Sequence, residues 1–366
     1  MKGFSLFLGV VGLSMVMSAP NALARNRGDF LDPRYKNLHH PFITDPRRID
    51  APSKSNISKM LDLQTPVRDQ SARGTCSIFS ATAALESLLI SQKKLDAKTL
   101  NLSEEWLEFL VTRNRVTDGS DSPTNFSIFK TFGDVSEEAM PYIGQTWETV
   151  NSSSLAQSRC GALTGNTLKS CLLGHRDATL LNTPDATLAK SDPALLAARK
   201  AASDFKNQFM SRATSNFSVR TTADIKKSLN DGIPVVLDLD FYYGAWNHRQ
   251  STTKGIGREI ENYNRGLVGY PEPGSIDREK SQEEPDGHSI LVVGYDDNAI
   301  ITTHVLMKDG TTKTFTYKGA YYFKNSWGTT AFATEANLDG NRMPGYGMIT
   351  YKYAHEFGGF YRLTLE

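Results

Sequence analysis

The chain carries no excess charge of either sign. Its 41 Lys and Arg stand against 40 Asp and Glu, a formal net charge of +1. That balance gives no electrostatic case for nucleic acid or an anionic membrane as a partner. There is no His-Glu-x-x-His, no Cys-x-x-Cys and no phosphate-binding glycine loop. Metal-dependent hydrolysis and nucleotide chemistry are therefore without support, and no cofactor is expected. Neither an internal repeat nor a low-complexity tract occurs. Apolar runs are short, and beyond Met17 none approaches the roughly 20 residues that a membrane span needs. Cysteine is scarce and odd in number: Cys76, Cys160 and Cys171. In an oxidising compartment thiols tend to pair, so one is left over. Cys160 and Cys171 are close in sequence, with Gly161 and Gly174 nearby, and could close a small loop that leaves Cys76 outside the bridge. Counting alone leaves pairings of Cys76 with either of the others open.

What is present is the composition of a folded chain, 39% hydrophobic and 22% charged. Its length suits one large domain or two modest ones. Lys2, the apolar run Phe4 to Met17 and the small residues of Ala22-Leu23-Ala24 read as a signal peptide over residues 1–24, cut before Arg25; an uncleaved anchor is the alternative. The protein is accordingly expected to be exported, periplasmic or secreted, with no membrane association after cleavage. Residues 25–58, rich in Arg, Asp and Pro and holding His39 and His40, read as an N-terminal arm or short pro-segment. The folded domain is expected over 59–366.

Within it, spacing predicts a helix from Cys76 to about Lys93, with Ile78, Thr82, Leu85 and Leu89 as one buried stripe. A second helix follows Ser103, an N-cap with Glu104 and Glu105 behind it. A third spans roughly 125–132 and stops at Gly133. Residues 144–188 read as turns, and Asp192 to Arg212 as an amphipathic helix. The second half changes character. Runs at 234–241, 289–295, 299–308, 312–317 and 320–324 are rich in β-branched and aromatic residues, with Asp309-Gly310 as a hairpin turn. Residues 243–286 form a long connection, a loop over a cleft. Helices first and strands second define an α+β chain of two lobes, helical over about 59–215 and β over about 216–366.

The residues with chemistry follow this division. In Gln70-Ser71-Ala72-Arg73-Gly74-Thr75-Cys76 a glycine-containing turn delivers a cysteine to the start of a helix. The backbone N–H groups there carry partial positive charge, which favours thiolate over thiol. The same groups can hydrogen-bond an oxyanion, and Gln70 is near enough to add a side-chain amide. A cysteine at a helix start is more often a plain buried residue; Gln70 and the odd cysteine count reverse that balance. A thiolate nucleophile needs an acid to protonate the departing amine, and histidine has the intrinsic pKa for it. Of seven histidines, only His288 combines the flexible Gly287 before it with an apolar strand, 290–294, behind it. His175 lies beside the disulfide loop and His248 in the long connection. Asn325, in Lys324-Asn325-Ser326-Trp327-Gly328, could accept a hydrogen bond from the imidazole and fix its tautomer, with Trp327 screening that bond from water.

Taken in order, the Gln70–Cys76 turn, Leu102 to Glu105, Gly287 to Tyr295, Lys324 to Gly328 and Gly345-Tyr346-Gly347 resemble the motifs of the papain family of cysteine peptidases. The resemblance is discontinuous and spans roughly residues 62–353. It implies Cys76 as nucleophile, His288 as general acid and base, Asn325 as its orienter and Gln70 as oxyanion donor. It places Gly119, Ser120, Gly287 and Trp327 on the substrate-binding wall. It also implies a helical lobe followed by an antiparallel β-barrel-like lobe with the cleft between them. The expected action is on peptide or protein substrates through a Cys thioester, by a monomer, with no metal or organic cofactor. Some positions depart from the family. Ser77 replaces the usual aromatic residue, Arg73 stands where many members place a disulfide cysteine, and Ser120 follows Gly119 where a glycine pair is common. Segments 144–220 and 243–286 are long. A non-catalytic binding protein of the same fold, or an acyl-transfer enzyme acting on non-protein amides or joining peptides, are the alternatives.

Overall fold

The computed structural model describes residues 52–113, 115–216, 219 and 221–365. The expected signal peptide and most of the arm, with His39 and His40, lie outside these residues. A short helix, α1 (Ile57–Leu61), precedes α2 (Cys76–Lys93), whose bounds are those expected from the sequence. The single apolar stripe expected for α2 is too narrow a description. Ile78, Thr82, Leu85 and Leu89 are fully buried, but from Cys76 to Ile90 only Ala83 escapes burial. The helix runs through the middle of the molecule, where one-sided periodicity has nothing to report.

Helix α3 (Glu104–Thr112) begins where Ser103 Oγ accepts the Trp106 N–H at 3.0 Å. Helix α4 (Ser122–Phe132) is capped by Asp121 and ends at Gly133. Gly133 has φ +74°, and a Cβ there would meet the Ala202 carbonyl oxygen at 2.1 Å, so only glycine fits the exit. The stretch read as turns is instead helical in short pieces: α5 (Ser154–Cys160), α6 (Gly165–Gly174) and α7 (Asp185–Ser191). Such short helices lack the repeats that make a period visible. Helices α5 and α6 are joined by the Cys160–Cys171 disulfide, which closes a satellite core with Trp147, Ala156 and Leu172, while Leu188 of α7 packs into the main core. Helix α8 (Pro193–Phe205) ends short of the expected Arg212, in a wider turn over Lys206–Met210.

The second lobe is built on strands β1 (Thr214–Asn216), β2 (Val235–Asp240), β3 (Leu267–Val268), β4 (Gly287–Leu306) and β5 (Thr312–Lys324). They are joined by the small hairpin β6 (Asn337–Leu338) and β7 (Asn341–Arg342), then β8 (Tyr346–Thr350) and β9 (Gly358–Thr364). Seven strands make one sheet in the order β1-β9-β2-β4-β5-β8-β3. All its pairs are antiparallel except β3 with β8. The order has two ends, so among the described residues the sheet is open and does not close into a barrel. Runs expected as separate strands fuse. Residues 289–295 and 299–308 become β4, 312–317 and 320–324 become β5, and the pairing shifts register between Asp296 and Ile300. Helix α9 (Thr222–Asn230) precedes β2. The 243–286 connection is not a plain loop. It carries α10 (Gln250–Thr253), α11 (Ile260–Asn264), β3 and α12 (Ile276–Glu283). Helix α13 (Tyr351–Phe357) links β8 to β9.

The folded body starts earlier than the expected boundary at 59. The Ser55 N–H donates to the Tyr295 carbonyl at 3.0 Å, the Tyr295 N–H donates to Ser55 Oγ at 2.9 Å, and Ile57 is buried in the main core. Ile57→Ala is therefore expected to cost about 2–5 kcal/mol. This would appear as a lower urea midpoint with unchanged slope; an unmoved midpoint would place residues 53–58 outside the cooperative unit.

Candidate active site

Cys76 is the first residue of α2, and the N-cap Thr75 makes no side-chain capping bond to the helix. Its hydroxyl is paired with Tyr142 OH at 2.6 Å instead. The turn before it is sewn to the Asn325 segment. The Gln70 N–H donates to Ser326 O at 2.8 Å, and the Gly328 N–H donates to Arg68 O at 3.0 Å. Ser71 takes φ +55° and donates its N–H to Asp69 Oδ1 at 2.8 Å. The Gln70 side chain is locked: Oε1 accepts from Ser326 Oγ at 2.6 Å, and Nε2 donates to Arg73 O at 2.7 Å. A primary amide has two N–H bonds, so this leaves the second for another acceptor.

Across the lobe boundary, His288 is the second residue of β4, and its Nε2 lies 2.8 Å from Asn325 Oδ1, at the end of β5. Asn325 Oδ1 also accepts the Ser326 N–H at 2.9 Å, which identifies it as the oxygen. Nε2 of His288 is then the protonated nitrogen, and Nδ1 is left for a second partner. Aromatic rings enclose the imidazole. Trp327 stacks on it at 4.7 Å and 28°, while Trp246 meets it edge-on at 5.1 Å and Phe241 at 5.9 Å. Trp246 is fully buried and comes from the 243–286 connection, where no motif marked it. Burial pushes the His288 pKa down to about 4, with the Asn325 bond acting in the opposite direction.

Two buried polar groups hold these elements in place. Ser80 Oγ, one helical turn after Cys76, is 2.5 Å from Ser289 Oγ, the residue after His288. Ser289 Oγ donates to Asp238 Oδ1 at 2.7 Å, and Ser122 adds its hydroxyl at 2.8 Å and its N–H at 3.0 Å to the same carboxylate. Burial raises Asp238 to about 6 against the pull of those three donors. The second group is Arg73, whose guanidinium is fully buried. It meets Glu108 at 3.0 Å, Asp118 at 2.9 Å and Glu105 at 3.5 Å, and donates to Leu173 O at 2.7 Å. Glu105 in turn lies 2.6 Å from His175 Nδ1. Arg73, which stands where the resemblance expects a disulfide cysteine, is thus tied to α3 through Glu105 and Glu108 instead. Burial holds Glu108 well above the usual carboxylate range, only partly offset by Arg73.

A cleft of about 470 Å³ brings Gln70, Gly287, His288 and Trp327 together, with Gly74 and, unforeseen from the sequence, His248. Cys76 is fully buried at the helix start, two residues beyond the wall residue Gly74, and is not itself on the wall. Cys160 and Cys171 form the bridge that leaves Cys76 outside any disulfide. Gly119 and Ser120 are not among the cleft residues. The Gly119 carbonyl accepts from Arg115 Nη1 at 2.8 Å, and Ser120 is fully buried.

The cysteine that opens a buried helix and the His–Asn pair at the strand ends are the groups that the papain-family resemblance singles out. Residues 175–335, which hold His288 and Asn325, match the Peptidase_C39 like family model. Cathepsin K of Mus musculus is 35% identical over 97 residues, 26% of this chain and 29% of that protein. Cysteine proteinase 2 of Entamoeba histolytica is 36% identical over 83 residues, 22% of this chain and 26% of that protein. The chain thus spans less than a third of the length of these curated relatives. Among solved structures, xylellain, a cysteine protease from Xylella fastidiosa, is 16% identical, covering 93% of this chain and 97% of that one at a TM-score of 0.49. Digestive procathepsin L 3 of Tenebrio molitor is also 16% identical, covering 93% and 76% at a TM-score of 0.45. The sequence matches bear out the resemblance to papain-family cysteine peptidases.

Arg73→Met would leave a cluster of three buried carboxyl groups without its cation, an expected loss of about 3–5 kcal/mol by chemical denaturation. Glu108→Gln, in which an amide stands in for a carboxyl already inclined to hold its proton, is expected to cost under about 1 kcal/mol. Equal losses for the two would mean that Arg73 does not carry the cluster.

Proposed function

We propose that this protein is an exported, monomeric thiol peptidase that cleaves peptide bonds through a thioester on Cys76. The observation that carries the reading is the 2.8 Å bond from His288 Nε2 to Asn325 Oδ1, which leaves Nδ1 of the same ring for a second partner. In the first step His288 Nδ1 takes the Cys76 proton and the thiolate attacks the substrate carbonyl carbon. The resulting oxyanion is met by the N–H groups at the start of α2 and the second N–H of Gln70. The imidazolium then gives its proton to the departing amine as the C–N bond breaks. Water, deprotonated by His288, attacks the thioester, releases the carboxylic acid and restores the thiol. Asn325 holds the ring in the productive tautomer, and Trp327 and Trp246 keep water from that bond. The Cys160–Cys171 disulfide and the leader-like N-terminus support an oxidising, extracytoplasmic location. No helix among the described residues is long and apolar enough to cross a membrane.

The full burial of Cys76 favours one alternative, a binding protein of the same fold without turnover. Labelling with a peptidyl epoxide separates them. A stoichiometric adduct on Cys76, lost in His288→Ala, is expected; no adduct on folded protein, or one indifferent to His288, would overturn the peptidase reading. A second expectation concerns the proton. Burial lowers His288, whereas an adjacent thiolate raises it by stabilising the charged ring. In Cys76→Ala the imidazole should titrate near 4 by NMR, and in wild type it should hold its proton to higher pH. Identical titrations would mean that no thiolate–imidazolium pair forms.

A further inference from the structure

The 243–286 connection brings a second imidazole to the cleft. His248 lines it beside Gly287, His288 and Trp327, with its ring 5.7 Å from Trp327 and 5.6 Å from Phe241. Its backbone is held firmly. The His248 N–H donates to Tyr243 O at 2.9 Å. The preceding Asn247 is buried at φ +50°, its side-chain oxygen accepting the Glu259 N–H at 2.8 Å and its carbonyl accepting Arg258 Nε at 2.7 Å. Asparagine tolerates the left-handed region better than most residues, and these two hydrogen bonds hold Asn247 there. The tautomer is set as well. The Gln250 N–H donates to His248 Nδ1 at 3.3 Å, so the ring proton is on Nε2, which makes no hydrogen bond among the described residues. Burial and the nearby Arg249, Arg258 and Lys254 push the ring down to about 4, and it stays neutral above that pH. His248, a residue of the cleft wall, therefore carries an uncharged N–H donor with no acceptor among the described residues.

Resting on the peptidase reading above, the direction of proton transfer says what that donor faces. His288 hands its proton to the departing amine, so the chain on the amine side of the cleaved bond leaves past His288 and along the wall beside it. We propose that His248 Nε2 donates a hydrogen bond to a backbone carbonyl of that departing chain. His248 is thereby a specificity-determining residue that favours substrates extended on the amine side over amides with a small leaving group.

The competing role is packing, because the ring lies among Phe241, Tyr243 and Trp327. Two substitutions separate donor from filler: His248→Phe keeps a ring and removes the donor, and His248→Gln keeps an N–H near the Nε2 position and removes the ring. The measurement is the ratio of kcat/KM for a peptide with three residues beyond the cleaved bond to that for the same acyl part on a small arylamide. Rates are taken per epoxide-titrated site, so that misfolded protein drops out. The ratio is expected to fall about tenfold in His248→Phe, the worth of one buried hydrogen bond, and to return toward the wild-type value in His248→Gln. An unchanged ratio in His248→Phe, or an equal fall in His248→Gln, overturns the donor role. Failure of the wild type to cleave either substrate is a different result: it overturns the peptidase reading and this inference with it.

Discussion

The hydroxyl pair of Ser80 and Ser289 is the joint on which the geometry of the site depends. One partner is a single helical turn past Cys76 and the other directly follows His288, so the pair relates the two halves of the site across the lobe boundary. With Asp238 ionised, the Ser289 proton is directed to that carboxylate, and Ser80 is the donor of the pair. Asp238 also gathers both donors of Ser122 at the start of α4. The run Ser80–Ser289–Asp238–Ser122 thus leaves the helical lobe, enters the sheet and returns. All four residues are buried. Sliding one lobe past the other would strand polar atoms away from water, at a cost of about 1–3 kcal/mol for each orphaned group. That asymmetry makes the joint specific where apolar packing alone would tolerate small shifts.

Around this joint the two halves are stiffened by different physics. On the cysteine side the turn from Gln70 to Thr75 is pinned by ionic and backbone contacts, with Arg73 reaching α3 and the segments at Asp118 and Leu173. On the histidine side the fixings are rings: Trp246, Trp327 and Phe241 surround His288, and Phe323 and Phe332 back Trp246. The division suits the chemistry proposed above. A thiolate gains from oriented N–H dipoles, whereas an imidazole that must both take and give a proton gains from a dry setting in which its ordinary basicity is lowered.

Much of this was legible in the residue order, and the exceptions have reasons. The start of α2 could be read because a glycine turn and a cysteine mark it, and α3 because Ser103 with two following glutamates is a cap that acts locally. His288 and Asn325 were found because each is at a strand end within a short, distinctive string. The burial of α2 on all sides was not legible, since periodicity reports a helix with one wet face. Helices α5 and α6 are not legible because a disulfide and a satellite core, not a long apolar stripe, hold them, and α7 is too short to show a period, with Leu188 alone anchoring it in the main core. The sequence sets 243–286 over a cleft, but no local spacing marks Trp246 and His248 within it as the residues whose packing brings them to His288. Arg73 was visible only as a departure, and its partners Glu108 and Asp118 lie 35 and 45 residues away.

The Cys160–Cys171 bridge closes a satellite core apart from the turn that leads into Cys76, and none of the fixings around Cys76 described above is a disulfide. The chain has only these three cysteines. A reductant that keeps the Cys76 sulfur available therefore attacks no crosslink in the turn that positions it. An oxidant, equally, finds no fourth cysteine in the chain with which Cys76 could form an internal bridge while the other two remain joined. On the function proposed above, the Cys76 sulfur and the crosslinked scaffold would respond separately to changing thiol–disulfide conditions.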